Sequence, residues 1–221
     1  MVLCPKAIRY VSWNIVWNAE LLIFIIYLQN LALLLIFAFS LSIHEYSHAC
    51  AAFILGDSTA KDQGRLTLNP LKHIDLLGTL IFPLLIGFGW AKPVPVAENN
   101  LLNKRRSLYI VALAGPLSNI IISILFSIFF HITDNQLLGI IFQQIAAINV
   151  ILAIFNLFPI PPLDGSNIIY SFLSDKKAFQ YNIFIRRYGL LSIILIYFIF
   201  RTYPQIIIAP LSIILSLLGL I

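Results

Sequence analysis

LALLLIFAFSLSIHEYSH, residues 31–48, runs thirteen almost wholly apolar residues into two histidines and a glutamate. The first part is material for a membrane-crossing helix, which takes about 20 predominantly apolar residues. The second part is material for a metal site that activates water. The composition around the stretch sets the class. Of the 221 residues, 60% are hydrophobic and 10% charged, with a mean hydropathy of +0.95, against about 25% charged in an average soluble domain. The chain reads as an all-α polytopic membrane protein. No polar stretch approaches the roughly 40 residues below which a domain rarely folds unaided.

Fourteen Lys and Arg against nine Asp and Glu give a net charge of +5. In a membrane protein such an excess marks cytoplasmic loops, so no nucleic-acid partner is expected. Cys4 and Cys50 lie far apart and read as two free thiols, without metal or redox spacing. No small-residue cleavage site follows the first apolar run, so no signal peptide is expected.

Outward from the opening stretch, hydropathy predicts about six membrane helices, five if the first segment only lies on the membrane. Val11–Leu28 is the first; Asn14, Asn18 and Glu20 make its first half interfacial, and Gln29 and Asn30 separate it from Leu31–Leu55. Leu76–Trp90, short and interrupted by Gly78, Pro83, Gly87 and Gly89, reads as a re-entrant, β-like hairpin. Leu108–Phe130 and Leu137–Phe158 are full spans, and Tyr188–Phe200 and Ile206–Ile221 are short ones split by RTYPQ. With the N-terminus inside and six spans, every Lys and Arg except Arg201 falls on the inner side.

Residues four apart on a helix point the same way, so His44 and His48 can grip one ion while Glu45 stays free as a base. Ionisable residues inside a membrane segment are costly and usually functional. A catalytic zinc site takes three protein ligands. Asp164 is the best third candidate, in NLFPIPPLDG, residues 156–165, where Pro159, Pro161 and Pro162 must unwind the preceding helix near the membrane boundary. His73 and His131 compete, one in a basic loop and the other toward the outer side.

HEYSH, GRLTLNPLKHID, GFGWAKPVPV, AGPLSN and NLFPIPPLDG, in this order between about Leu31 and Gly165, resemble the site-2 protease family of intramembrane zinc metalloproteases. The likeness is to small bacterial and archaeal members without a PDZ or CBS domain. It implies a single membrane-embedded metalloprotease domain over residues 1–221, with an N-terminal extension or first span at 1–30, a catalytic core at 31–165 and C-terminal helices at 166–221. It further implies one Zn²⁺ on His44, His48 and Asp164, Glu45 as the catalytic base, and Asn156 as an oxyanion donor; Asn119 is a second candidate at the site. The family often has DGG where this chain has Asp164-Gly165-Ser166, and Phe or Leu-Gly in place of Tyr46 and Ser47, and neither change removes a reactive group.

The implied substrate is a transmembrane helix in the lipid bilayer, cut in regulated intramembrane proteolysis. The implied location is a prokaryotic inner membrane with the active site toward the cytoplasm. A membrane-helix substrate explains why the metal motif ends a lipid-spanning segment. Such a helix must be unwound before cleavage, and either GRLTLNP as a short strand or the proline-extended AKPVPV offers an edge for it. Ala114, Gly115 and Ser118 permit AGPLSN to pack closely on the HEYSH helix. Two rival readings use the same His and Asp residues: a metal transporter and a non-catalytic membrane scaffold.

Overall fold

The computed structural model describes residues 5–86 and 89–221, with side chains except those of 5–25, 86, 186, 190, 193 and 196. Cys4, Gly87 and the side chains of Asn14, Asn18 and Glu20 lie outside the described residues. Two compact units meet in the sequence at Leu35 and Ile36. The first is the start of helix α1 (Pro5–Ile54). The second contains everything from Ile36 on.

Helix α1 passes Gln29 and Asn30 without a break, contrary to the expected separation. Gln is a good helix former and a single Asn costs only a fraction of a kcal/mol, too little to stop a helix between two apolar runs. What stops it is Gly56, at φ +103, where Asp57 N–H bonds back to the Ala52 carbonyl at 2.9 Å in a glycine-capped end.

The loop region that follows holds a short helix α2 (Thr59–Asp62), 3₁₀ turns at Pro70–Lys72 and Glu98–Asn100, a π-helical turn at Leu76–Ile81 and helix α3 (Phe82–Ile86). The strand expected in GRLTLNP does not form, and no β-strand occurs among the described residues. Its Arg65 side chain is drawn into the fold, the Thr67 carbonyl accepts from the His73 ring, and Asn69 caps the next turn. The Leu76–Trp90 excursion is closed at its base, where Trp90 N–H donates to the Gly78 carbonyl and Thr79 Oγ1 to the Trp90 carbonyl, both at 2.9 Å. Residues 89–97 then form neither helix nor strand.

Helices α4 (Arg105–Ile132) and α5 (Gln136–Asn156) are joined by a three-residue turn capped by Asn135. They pack antiparallel: Asn119 meets Asn149, and Phe126 meets Phe142. Together with the Ile26–Ile54 part of α1 they are three helices long and apolar enough to cross a membrane. The chain is an integral membrane protein. Small residues such as Ala49, Ala52, Ala112 and Ala146 are fully or nearly fully buried, which lets helices without a hydrophobic drive between them approach closely.

After residues 157–163 come α6 (Asp164–Phe172), α7 (Asp175–Thr202) and α8 (Gln205–Leu217). The expected crossing by Tyr188–Phe200 is not what the contacts describe. Helix α7 starts at the first turn of α4, where Asp175 pairs with Arg105 at 2.7 Å. It ends with Phe200 against Phe155 and Phe158, at the same end of the α4–α5 pair. Helix α8 then climbs along α5 to the opposite end. There the Leu218 carbonyl accepts from Ser127 at 2.8 Å and His131 at 2.9 Å, and the Leu220 carbonyl from Gln143 at 2.7 Å.

Candidate metal centre

His44 and His48 project from one face of α1 toward α4. Their Nε2 atoms are 3.0 Å apart. Asp164, the first residue of α6, places Oδ2 3.1 Å from His44 Nε2 and 3.3 Å from His48 Nε2. A zinc tetrahedron with ligand distances of about 2.0–2.1 Å has edges of about 3.3 Å, so the triangle is of the right size for three of four ligand positions.

The outer nitrogens fix the tautomers. His48 Nδ1 donates to the Val111 carbonyl at 2.7 Å. His44 Nδ1 donates to Asn119 Oδ1 at 2.6 Å. In neutral rings both Nε2 lone pairs then face each other and the Asp164 carboxylate. Oδ2 is buried and has no hydrogen-bond donor. Three acceptors converging without a proton repel; a shared cation removes the conflict. Two imidazoles and a carboxylate are a donor set zinc accepts. His44, His48 and Asp164 are the one such cluster among the described residues.

Each ligand is braced. Asn119 is fully buried, and its Nδ2 donates to Asn149 Oδ1 at 2.7 Å. Asn149, also fully buried, donates to Ser40 Oγ at 2.9 Å and to the Ile145 carbonyl at 2.8 Å. This chain of amides locks the His44 ring from α4, α5 and α1 together. Gly115 lies under both rings: a Cβ there would collide with His44 and His48, so AGPLSN packs on the HEYSH helix as expected. Gly165 has an equally tight place, because a Cβ would strike the Leu157 and Phe158 carbonyls.

Glu45 faces the cavity, and its Oε2 accepts from the Val94 N–H at 2.8 Å. Val94 lies on segment 89–97, which is itself held from three sides. Arg65 donates to the Lys92 carbonyl at 2.6 Å, Lys92 N–H donates to the His73 carbonyl at 2.9 Å, and Ala97 N–H donates to Asp57 Oδ2 at 2.7 Å. His44, Glu45, His48 and Asp164 share the wall of one cavity of about 610 Å³ with Trp90, Ala91, Pro93, Val94, Val96, Asn156 and Tyr170.

Of the expected site residues, Asn156 lines this cavity, with its amide donating to the Leu152 carbonyl of its own helix at 3.0 Å. Asn119 does not line it and acts through His44. The rival ligands stand elsewhere: His73 is buried against the Thr67 carbonyl, and His131 binds the end of α8. Sequence reasoning missed Asn149, Ser40 and Asp57. Asn149 carried a signal, since it lies seven residues before Asn156 and therefore on the same helix face.

Residues 132–196 match the model for peptidase family M50. The chain is 41% identical over 140 residues to "Putative zinc metalloprotease YwhC" of Bacillus subtilis, covering 59% of this chain and 64% of that protein. It is 32% identical over 133 residues to "Putative zinc metalloprotease Rip2" of Mycolicibacterium smegmatis, covering 57% of this chain and 51% of that protein. Against Rip2 of Mycobacterium tuberculosis strain H37Rv the identity is 30% over 134 residues, covering 57% of this chain and 51% of that protein. The chain thus spans between half and two thirds of the length of these curated relatives. No solved structure matches it. The matches agree with a HExxH helix whose two histidines meet a distant aspartate, and the chain is similar to peptidase family M50 and to these zinc metalloproteases.

Proposed function

We propose that the chain is a zinc-dependent intramembrane endopeptidase that cleaves peptide bonds within or near transmembrane helices, in regulated intramembrane proteolysis. One observation carries the reading: His44, His48 and Asp164 converge beside Glu45 on the wall of a single cavity set among membrane-length helices. Zinc, when bound, acidifies water and polarises a carbonyl. Glu45 takes the proton from the attacking water and returns it to the leaving amine. Val94 N–H holds Oε2 of Glu45, which leaves Oε1 turned to that task. Asn156 donates to the developing oxyanion by exchanging its bond to Leu152 for one to the substrate. Residues 91–96, AKPVPV, offer an unwound substrate the backbone groups that Glu45, Arg65 and His73 leave free. The active site opens toward the cytoplasm of a prokaryotic cell.

The test is cleavage of a reconstituted membrane-helix substrate by the purified protein and by Glu45→Gln, with zinc content measured in both. Loss of cleavage with zinc retained supports the protease. Unchanged cleavage sinks it, and zinc flux into vesicles without cleavage selects the transporter.

A further inference from the structure

Helix α7 has 28 residues and is about 42 Å long at 1.5 Å per residue. Stood upright beside α4, its last turn would reach the far end of the bundle. Contacts along its length keep it at the near end instead. Asp175 pairs with Arg105 at 2.7 Å, Asn182 donates to the Tyr170 hydroxyl at 3.1 Å, Ser192 donates to the Pro161 carbonyl at 2.6 Å, and Phe200 packs on Phe155 and Phe158. The helix therefore runs across α6 and the end of α5, and Asn182 and Ile185 form part of the metal cavity's wall.

Its outward side is apolar and uncovered: Phe179, Ile183, Leu191, Ile194 and Phe198 are each at least half exposed. Water would not tolerate such a face. Crossing does not suit it either, because both its ends lie at the same end of the α4–α5 pair. Basic residues flank the apolar stretch. Lys176, Lys177, Arg186, Arg187 and Arg201 stand against a single acid, Asp175, which Arg105 already neutralises.

We infer that α7 is an in-plane membrane-surface helix. Its apolar residues sit at the headgroup–acyl boundary and its Lys and Arg reach anionic phospholipid headgroups. The contact chain decides the orientation, and the charge excess names the lipid. The bilayer surface thereby seats one wall of the cavity. This inference does not depend on the protease reading.

The test places spin labels singly at Leu191, Phe198 and Ile213 of the full chain, with Cys4 and Cys50 changed to Ser. The protein is reconstituted into phosphatidylcholine vesicles with or without phosphatidylglycerol. Depth is read from oxygen against a water-soluble nickel chelate. Leu191 and Phe198 are expected at one shallow depth, within about 5 Å of each other, one helical turn, and Ile213 deep in the bilayer. A step of about 10 Å between Leu191 and Phe198, the rise of seven upright residues, overturns the in-plane placement. Phosphatidylglycerol is expected to slow both α7 labels at least twofold. Lys176→Gln, Lys177→Gln and Arg187→Gln combined should abolish that effect. Equal label mobility in the two vesicle types overturns the anionic-lipid seat.

Discussion

Asn149 touches neither the metal ligands nor the cavity, yet the tautomer of His44 depends on it through Asn119. Removing its amide leaves Asn119 free to turn and His44 free to present the wrong nitrogen. Asn149→Leu is expected to weaken zinc binding about 10- to 100-fold, the usual cost of losing an outer partner of a ligand, read by competition with a chelator. An unchanged affinity removes Asn149 from the site. Asp57 braces the other wall. Burial pushes its carboxyl up, but the Thr59 hydroxyl and N–H, the Ala97 N–H and the Asn100 amide outweigh that and hold it below the ordinary value. A folded pKa below the unfolded one gives stability that is complete above the unfolded value, about 3.9, and is lost as pH falls through the folded one. The apparent melting temperature should drop as pH is taken below about 4, and Asp57→Asn should flatten that drop. A variant with the wild-type acid profile assigns it to another carboxylate. The ligands were legible because HExxH is a local pattern and Asp164 follows a proline break. Asn149 shared a helix face with Asn156, but its partners Asn119 and Ser40 are 30 and 109 residues away; for Asp57 no local spacing announces Ala97 and Asn100, 40 and 43 residues on.

At the scale of elements, α8 and α7 differ in how they are held. Helix α8 lies along α5, and hydrogen bonds from Ser127, His131 and Gln143 latch the residues just past it. Helix α7 rests on α6, Pro161 and two phenylalanines, with its outer face bare. If a membrane-helix substrate enters sideways, α7 is the part that yields and α8 the post it swings from. Cysteines at Phe158 and Phe200 joined by a short thiol cross-linker should slow cleavage of a membrane-helix substrate about tenfold, the effect of roughly 1.4 kcal/mol on the barrier. Cleavage of a short soluble peptide should change much less. Equal slowing of both would mean the cross-link damages the site, and no slowing of either would put the door elsewhere. Hydropathy located both helices but not their paths. It measures how readily a segment enters lipid, and an in-plane helix and a short crossing one score alike. The unbroken α1 teaches the same point: two polar residues lower a hydropathy trace without lowering helix propensity enough to end a helix.

Across the unit from Ile36 on, the path of α7 changes the charge map. Every Lys and Arg from Lys61 to Arg201 lies on the connection between α1 and α4, on the first turn of α4, or on α7. Arg201, the one exception under a crossing α7, rejoins the rest because α7 ends where α5 ends. The bundle thus has a basic end, which carries the cavity, and an opposite end made by the α4–α5 turn and the latched residues 218–220. The basic end is expected to face the cytoplasm. Single cysteines at Lys104 and Tyr203 should then resist a membrane-impermeant thiol reagent in intact cells, while cysteines at Asn135 and Ile221 react. Reaction at Tyr203 and Asn135 with protection at Ile221 would restore a crossing α7 and an inward α8. The mirror pattern, with Lys104 and Tyr203 reacting and the other two protected, would keep the fold and turn the cavity to the outside. The two failures read differently because Tyr203 and Ile221 bracket α8. In each of these three patterns α8 crosses between them, and only the side of Tyr203 relative to Lys104 reports whether α7 has crossed as well.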